Sequence, residues 1–282
     1  MKRTMKETEI EFKKEVTITK VIDAVGDFVI PAEIDECRVT GIGDRAFEAC
    51  RNLKSVIIPD SVVNIDGDAF YCCDSLGSFI VKEGNKLYKT VQELLIEDEK
   101  TLVAVPRTLT SVDIPDCVTK IGDNAFLGCE LLRDVTIPDS VESIGKQAFC
   151  QCKNLTNVAI PDSVKNIGDS AFAFCDNLRN VTISDGVKTI GECAFFLCMS
   201  LTEIEIPGSI DEIGDSAFGN CFELKRVVLA DGVGNTNISE NAFDGCKKLT
   251  SVKLPDSIMR VLKAANKLSN GKFPSNDAVP QS

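Results

Sequence analysis

The sequence contains no histidine, and this absence removes the side chain that proteins use most often as a general base and as a metal ligand. Basic residues are also in the minority. The chain has 31 lysines and arginines against 43 aspartates and glutamates, which gives a formal net charge of −12. Nucleic acids are bound by clustered lysine and arginine, so this balance argues against a nucleic-acid partner. An acidic surface also disfavours docking on anionic lipid.

Long apolar runs are missing as well. Residues 1–16 carry basic side chains, but no apolar stretch of the roughly 7 to 15 residues that a secretory signal requires follows them. No part of the sequence approaches the about 18 apolar residues of a membrane-spanning helix. We therefore expect no membrane insertion and a cytoplasmic location. A cell-surface or secreted location is the alternative if a leader has been removed.

The chain is rich in internal repetition. The stretch LTNVAIPDSVKNIGDSAFAFCDN, residues 155–177, has similar stretches 23 residues before it and 23 residues after it. Self-similarity at a fixed period of about 20 to 50 residues indicates a solenoid. In such an array each repeat buries its apolar face only against its neighbours.

Each repeat predicts a strand, a corner, a second strand and a helical turn. The alternating apolar residues Leu155, Val158 and Ile160 indicate a half-buried strand, and identical strands at a fixed spacing stack in parallel. The following Pro-Asp-Ser predicts a corner. Val164 and Ile167 suggest a short strand on the opposite side of the coil. The next Gly-Asp is expected to turn the chain and cap a helical turn that carries the inward-facing Ala-Phe-x-x-Cys.

Irregular segments set the predicted domain boundaries. We interpret Val16–Thr19 and Phe28–Ile30 as the strands of a hairpin that caps the first repeat. Leu94–Ile96 and Leu102–Val105 predict a second hairpin, inserted as a loop on one face of the coil. The predicted domains are an amino-terminal hairpin cap (1–38), the solenoid (39–258) with its hairpin insert (82–106), a carboxy-terminal cap helix (259–271) and a disordered tail (272–282).

The unit I-P-D-S-V-x-x-I-G-D-x-A-F-x-x-C-x-x-L-x-x-V-x-I resembles the BspA-like subclass of leucine-rich-repeat proteins. The resemblance covers about residues 39–258, and residues 82–106 look like the irregular hairpin repeat of that family. It implies a β-rich α/β fold, a right-handed solenoid of 23-residue repeats with a parallel β-sheet on its concave face. It also implies protein binding, since characterised relatives are surface proteins of bacteria and mucosal protozoa, some of them adhesins.

Most of the cysteines fall in one column of the predicted solenoid. Free cysteine is among the most often buried residues, so a ladder of buried thiols is the favoured interpretation. Disulfide or metal chemistry is the alternative, but side chains in register run parallel to one another, and no C-x-x-C pair of the zinc kind occurs. The column comprises Cys50, Cys73, Cys129, Cys152, Cys175, Cys198, Cys221 and Cys246.

Aspartates recur at the corner and before the Ala-Phe turn of most repeats. Stacked carboxylates could bind calcium, yet each aspartate lies beside turn residues that explain it as a local hydrogen-bond acceptor. Catalysis is the least favoured function, because histidine and the known nucleophile and phosphate-binding motifs are missing. An active site also occurs once in a chain, whereas these aspartates recur in most repeats. We predict no catalytic residue, no metal site and no cofactor.

Outward positions of the long strands differ from repeat to repeat, whereas the apolar residues beside them hardly change. Such variation suits a recognition surface, and the alternative is an ordinary solvated face without a partner. We expect a monomeric, non-enzymatic scaffold that binds a protein of unknown identity through the concave face. A surface adhesin for host matrix or microbial surface proteins is the alternative. The predicted contact residues are Asp134, Asn157, Asn180, Glu203, Glu205, Arg226 and Lys253.

Overall fold

The computed structural model describes residues 14–230 and 236–253, which form a β-solenoid of about ten coils. The first part contains β1 (Glu15–Ile18), β2 (Gly26–Val29), β3 (Glu33–Ile34), β4 (Cys37–Ile42), β5 (Leu53–Ile58), β6 (Asn64–Ile65), β7 (Ser78–Val81), β8 (Tyr88–Val91), β9 (Leu94–Glu97) and β10 (Thr101–Ala104). The second contains β11 (Ser111–Asp113), β12 (Lys120–Ile121), β13 (Asp134–Thr136), β14 (Ser143–Ile144), β15 (Asn157–Ile160), β16 (Asn166–Ile167), β17 (Asn180–Ile183), β18 (Thr189–Ile190), β19 (Glu203–Ile206), β20 (Glu212–Ile213), β21 (Arg226–Leu229), β22 (Asn237–Ile238) and β23 (Ser251–Lys253).

Equivalent strands of successive coils pair in parallel, as the repeat predicts. Asn157 lies opposite Asn180, and Ile167 lies opposite Ile190, so the register advances by one repeat per coil. The short strands form one nine-stranded sheet that runs from β22 to β12 and continues through β10, β9 and β8. The parallel solenoid is therefore confirmed, while the right-handed coil and the concave face stay predictions.

No helix is present in the described ranges, and so none there could cross a membrane. The predicted cap helix at 259–271 and the tail at 272–282 lie outside the described residues.

The amino-terminal segment is a coil of the solenoid, and the predicted hairpin is wrong. β1 pairs in parallel with β4, and β2 pairs in parallel with β5, so the two segments lie in different sheets. The connection between them follows the turn of the next coil, where Val21 N–H donates to Ala46 O at 2.7 Å. The sequence did not distinguish these arrangements, because period-2 alternation is the same for a hairpin strand and a coil strand.

The Ala-Phe-x-x-Cys segment consists of tight turns, and the predicted helical turn is wrong. Ser170 (φ 55°) and Phe174 (φ 60°) are left-handed, whereas a helix requires right-handed residues at both positions. This alternation points the N–H groups of Ser170, Phe172 and Phe174 towards the next coil. They donate to carbonyls within residues 192–196 at 2.7–2.8 Å.

A column of stacked phenylalanine rings fills the core beneath these turns. The rings of Phe149, Phe172, Phe195 and Phe218 are fully buried, with neighbouring centroids 4.9–5.2 Å apart and planes within 3° of parallel. Each stacked aromatic pair contributes roughly 0.5–1.5 kcal/mol beyond the burial of its area. Valine, leucine and isoleucine of the strands surround this column.

The cysteine column lies beside the phenylalanines, and its thiols donate hydrogen bonds to their main-chain carbonyls. Cys175 Sγ donates to Phe149 O at 3.2 Å, and Cys198 Sγ donates to Phe172 O at 3.2 Å, in each case across to the preceding coil. The cysteines of the column are free thiols, and all except the half-buried Cys246 are buried. The favoured packing of a thiol ladder is thus present, and most of its S–H groups also donate to a carbonyl of the preceding coil.

The insert lies inside the solenoid, so its predicted place as a loop on one face is wrong. β8 and β9 pair antiparallel, as do β9 and β10, and β10 then pairs in parallel with β12 as the short strand of the next coil. Leu94 and Ile96 pack into the core of the following coils, whereas Leu95 packs into the core of the preceding ones. The hairpin therefore forms a wall between two hydrophobic cores.

The coil that contains β10 and β11 lacks the Ala-Phe-x-x-Cys turn, and Arg107 fills the space that this turn would occupy. Its side chain is only 9% exposed. Nη1 donates to Leu127 O at 2.6 Å, and Nη2 donates to Gly128 O at 2.5 Å. In regular coils the carbonyl equivalent to Leu127 O accepts a main-chain N–H, as Phe196 O does from Phe174. A side chain therefore replaces the missing main chain.

Two bulky apolar residues occupy a left-handed position of the turn, Phe174 (φ 60°) and Leu197 (φ 57°). Left-handed backbone costs an L-residue roughly 1–2 kcal/mol and is tolerated best by glycine and asparagine. Phe174 is in addition 40% exposed. The equivalent residues of other coils are Ala49, Cys72, Gly128, Gln151, Asn220 and Gly245.

We predict that alkaline solution destabilises the fold through the buried thiols. Burial raises the pKa of Cys129 to about 11 and the pKa of Cys175 well above its ordinary value. The unfolded chain therefore ionises first, near the ordinary thiol pKa of about 8.5. Above that pH the folded state binds more protons than the unfolded state. The free energy of unfolding therefore falls by up to about 1.4 kcal/mol per pH unit for each buried thiol.

Urea unfolding followed between about pH 8 and 10 measures this slope. Cys175→Ala should reduce the slope by the share of one thiol, whereas Cys117→Ala, which removes an exposed thiol, should leave it unchanged. Equal slopes for the two variants would contradict the assignment of the pH dependence to the buried column.

Arg107→Met should lower the free energy of unfolding by about 2 kcal/mol, because two buried carbonyls lose their donor while a buried charge is removed. Arg133→Met, a change at an exposed arginine, should alter it by less than about 0.5 kcal/mol. Chemical denaturation of the two variants measures the difference. A neutral Arg107→Met would show that the guanidinium does not hold the coils together.

Phe174→Asn should stabilise the protein by about 1 kcal/mol, because asparagine adopts the left-handed backbone more readily and exposes no ring. Leu131→Asn removes a side chain that is 49% exposed and has no left-handed backbone, so it serves as the control with little change expected. Thermal unfolding of both variants measures the effect. A destabilised Phe174→Asn would contradict the proposal that the left-handed backbone at Phe174 is strained.

Candidate functional site

The candidate site is the outward surface of β11, β13, β15, β17, β19 and β21, which we call the long-strand face. Exposed and buried side chains alternate strictly along its central strands. In β15, Asn157 and Ala159 are exposed while Val158 and Ile160 are buried. Because side chains of a strand alternate between its two faces, the core determines only every second residue. The outward residues are free to differ from coil to coil.

The structure places the predicted contact residues on neighbouring strands of this face. Their order along the face follows their order in the sequence, because each coil adds one strand. Lys253 belongs to β23 and lies opposite Val228, and its side chain lies outside the described residues. The exposed members are Asp134, Asn157, Asn180, Glu203, Glu205 and Arg226.

Polar contacts link successive coils across the long-strand face. Asn180 Nδ2 donates to Asn157 Oδ1 at 2.6 Å, which continues the ladder of the main chain in the side chains. Arg226 Nη1 lies 3.1 Å from Glu203 Oε1, with the two side chains 49% and 55% exposed. Exposed ion pairs contribute about 0–1 kcal/mol to stability. The pair can therefore open at low cost when another charged group approaches.

The long-strand face does not extend over the whole solenoid. β2, β5 and β7 form a separate group, and β7 does not pair with β11. Ser55 of this group is only 5% exposed and donates to Asp27 Oδ1 at 2.6 Å, so it is not an outward contact residue. Among the described residues the long strands pair in four groups, β2–β5–β7, β11–β13, β15–β17 and β19–β21–β23. The distance in sequence from Ser78 to Ser111, longer than one repeat, was the signal for this break.

Aspartates before the Ala-Phe turn bond to the main chain of the next coil in two repeats, where a cap of their own turn was expected. Asp123 Oδ1 accepts the Lys146 N–H at 2.9 Å, and Asp169 Oδ1 accepts the Glu192 N–H at 3.1 Å. Lys146 also pairs with Asp169 at 2.8 Å and lowers the pKa of that carboxyl. These carboxylates extend the contacts between coils. Among the described residues, no group of three or more histidine, cysteine, aspartate or glutamate side chains could hold a metal ion.

Solved structures with the same fold come from bacterial leucine-rich-repeat proteins. A leucine-rich-repeat protein from Eubacterium ventriosum is 26% identical with a TM-score of 0.70, over 82% of this chain and 61% of that one. The pneumococcal vaccine antigen PcpA is 18% identical with a TM-score of 0.56, over 79% of this chain and 55% of that one. The chain thus spans less than two thirds of either relative. No curated protein matches the chain.

A family model matches most of the sequence. Residues 27–92, 106–225 and 211–276 match the BspA type leucine rich repeat region in 6 copies. The matched residues include every strand of the long-strand face, and residues 1–26, 93–105 of the insert and 277–282 lie outside the matches. The repeat resemblance is confirmed, and the chain belongs to the family of BspA type leucine-rich-repeat proteins.

Proposed function

We propose that the protein is a non-enzymatic scaffold that binds another protein through the long-strand face. The observation that carries this proposal is the contrast between the two sides of the same strands. Inward positions repeat valine and isoleucine in coil after coil, whereas the outward positions of equivalent strands hold aspartate, asparagine, glutamate and arginine. Packing requires the first pattern and does not require the second, so the second is available for recognition.

The rigidity of the face supports a binding role. Hydrogen bonds join the long strands within the groups β11–β13, β15–β17 and β19–β21–β23, and the turns add bonds between successive coils. A binding surface that is already ordered loses little conformational entropy when a partner docks. At about 4.8 Å per strand, the strands from β11 to β23 present a surface roughly 30 Å wide, which suits a protein interface of standard size.

The charges on the long-strand face indicate which charge the partner carries. Glu203, Glu205 and Arg226 lie on adjacent strands, with Glu203 opposite Arg226 and Glu205 opposite Val228. Glu205 is exposed and has no ion pair within the described ranges. A partner with a basic group at this position would gain a charge contact at low desolvation cost. Such contacts contribute to specificity and to the rate of association.

The adhesin alternative differs from this proposal only in the nature of the partner. A partner from host matrix or from a microbial surface would use the same face. The fold shared with a pneumococcal vaccine antigen supports the scaffold and leaves the partner open. Capture from a matrix extract, compared with capture from a cytosolic extract, distinguishes the two.

We predict that the triple variant Glu203→Ala, Glu205→Ala, Arg226→Ala loses the captured partner, with affinity reduced roughly tenfold or more. The matched control is the triple variant Lys188→Ala, Asp211→Ala, Glu212→Ala, which removes the same charges from exposed positions on and beside the short strands. Quantitative pull-down from both extracts compares the two. A partner that both variants retain equally would refute the assignment to the long-strand face.

A further inference from the structure

β7 has an unpaired edge. Its register places Ser78 opposite Ser55 and Val81 opposite Ile58, and within the described chain it pairs with β5 alone. Lys82 N–H donates back to Ile58 O at 2.9 Å. Because main-chain groups of successive strand residues point to opposite edges, those of Phe79 and Val81 point away from β5.

Among the described residues, no strand pairs with the edge formed by Phe79 and Val81. The next long strand, β11, belongs to a different group because the insert separates the two coils. β8 lies alongside, and its contact with the edge is a side chain: Thr90 Oγ1 donates to Phe79 O at 3.2 Å. An open strand edge is a template for pairing with another chain, and folded proteins usually cover or charge such edges.

The open edge forms one wall of a groove of about 440 Å³. β8 forms the opposite wall, and residues 82–85 close one end. Ile80 is 47% exposed beside it. The groove is lined by two lysines, Lys82 and Lys89, and one carboxylate, Glu83, in a chain whose net charge is −12. Lys89 pairs at 3.4 Å with Glu99, which is highly exposed and can be displaced.

We propose that this groove binds an extended peptide segment of another protein, which adds as a strand to the free edge of β7. The peptide main chain would pair with Val81 and, after displacing the Thr90 hydroxyl, with Phe79. Acidic side chains of the peptide would lie between Lys82 and Lys89. Addition of a strand to a sheet edge takes its affinity from main-chain hydrogen bonds and its specificity from side-chain contacts on either side.

This site is separate from the long-strand face. The face presents outward side chains of strands that are already paired, whereas the groove presents unpaired main-chain groups in the segment from 79 to 90. The two sites can therefore fail independently. The triple variant of Glu203, Glu205 and Arg226 should bind the peptide as the natural sequence does.

The test uses the full-length protein and a fluorescein-labelled peptide, acetyl-Asp-Val-Thr-Val-Asp-amide, followed by fluorescence anisotropy. A second peptide carries N-methyl groups on the two valines, which removes donors without changing the side chains. We expect the first peptide to bind and the second to bind at least roughly tenfold more weakly. Equal binding of the two peptides, or no binding of the first at about 1 mM, overturns the proposal.

Protein variants locate the site. Val81→Pro removes a donor from the edge, and Lys82→Glu with Lys89→Glu reverses the charge of the groove; each should weaken binding at least roughly tenfold. The control Lys120→Glu with Lys225→Glu changes exposed lysines elsewhere and should bind normally. Thr90→Val frees Phe79 O and should strengthen binding. Unchanged binding in the double lysine variant overturns the proposal. If Val81→Pro does not fold, the N-methylated peptide tests the main-chain hydrogen bonds in its place.

Discussion

Every part of this solenoid depends on hydrogen bonds that run from one coil to the next. In the strands this is ordinary parallel pairing, but the turns are bonded in the same way. Two left-handed residues in most turns, such as Ser170 and Phe174, aim the intervening N–H groups at the following coil. The coils are thereby held at the spacing of adjacent strands, about 4.8 Å. That spacing lets phenylalanine rings stack and cysteine thiols reach the carbonyls of the coil before.

The same constraint explains the irregular region, where one coil has lost its turn. Arg107 supplies donors to the carbonyls of the following coil, and the Tyr88 hydroxyl accepts the N–H of Ile65 at 2.9 Å. Side chains thus replace the main chain on two sides of the break. At β7 the substitute is the Thr90 hydroxyl, which donates to one carbonyl, that of Phe79. The break therefore divides the outward surface and leaves the edge of β7 unpaired within the described residues.

The period of the sequence predicted most of the architecture, because one set of inward residues must recur wherever one coil packs on the next. It placed Val158, Ile160, Phe172 and Cys175 in the core and Asn157 on the outside, and the structure has them there. The helical turn was wrong because a spacing of three between Phe172 and Cys175 suits a helix and a pair of tight turns equally. Only the backbone angles distinguish these.

The insert was misplaced for a different reason. The run Leu94-Leu95-Ile96 is apolar at every position, which is typical of a strand buried on both faces. The prediction of a loop on one face follows from the general rule that insertions in repeat arrays are loops. The repeat does not predict which residues of the long-strand face bind a partner. Packing of the core determines the inward positions and places no requirement on the outward ones.

Amide hydrogen exchange in the turns tests the central claim most directly. If bonds between coils hold the turns, the amides of Phe149 and Phe172 should exchange as slowly as those of the central strands. The amide of Phe70, which has no main-chain partner within the described residues, should exchange much faster. Uniformly fast exchange at all three phenylalanines would contradict the account, because the turns would then be loops carried by the strands alone.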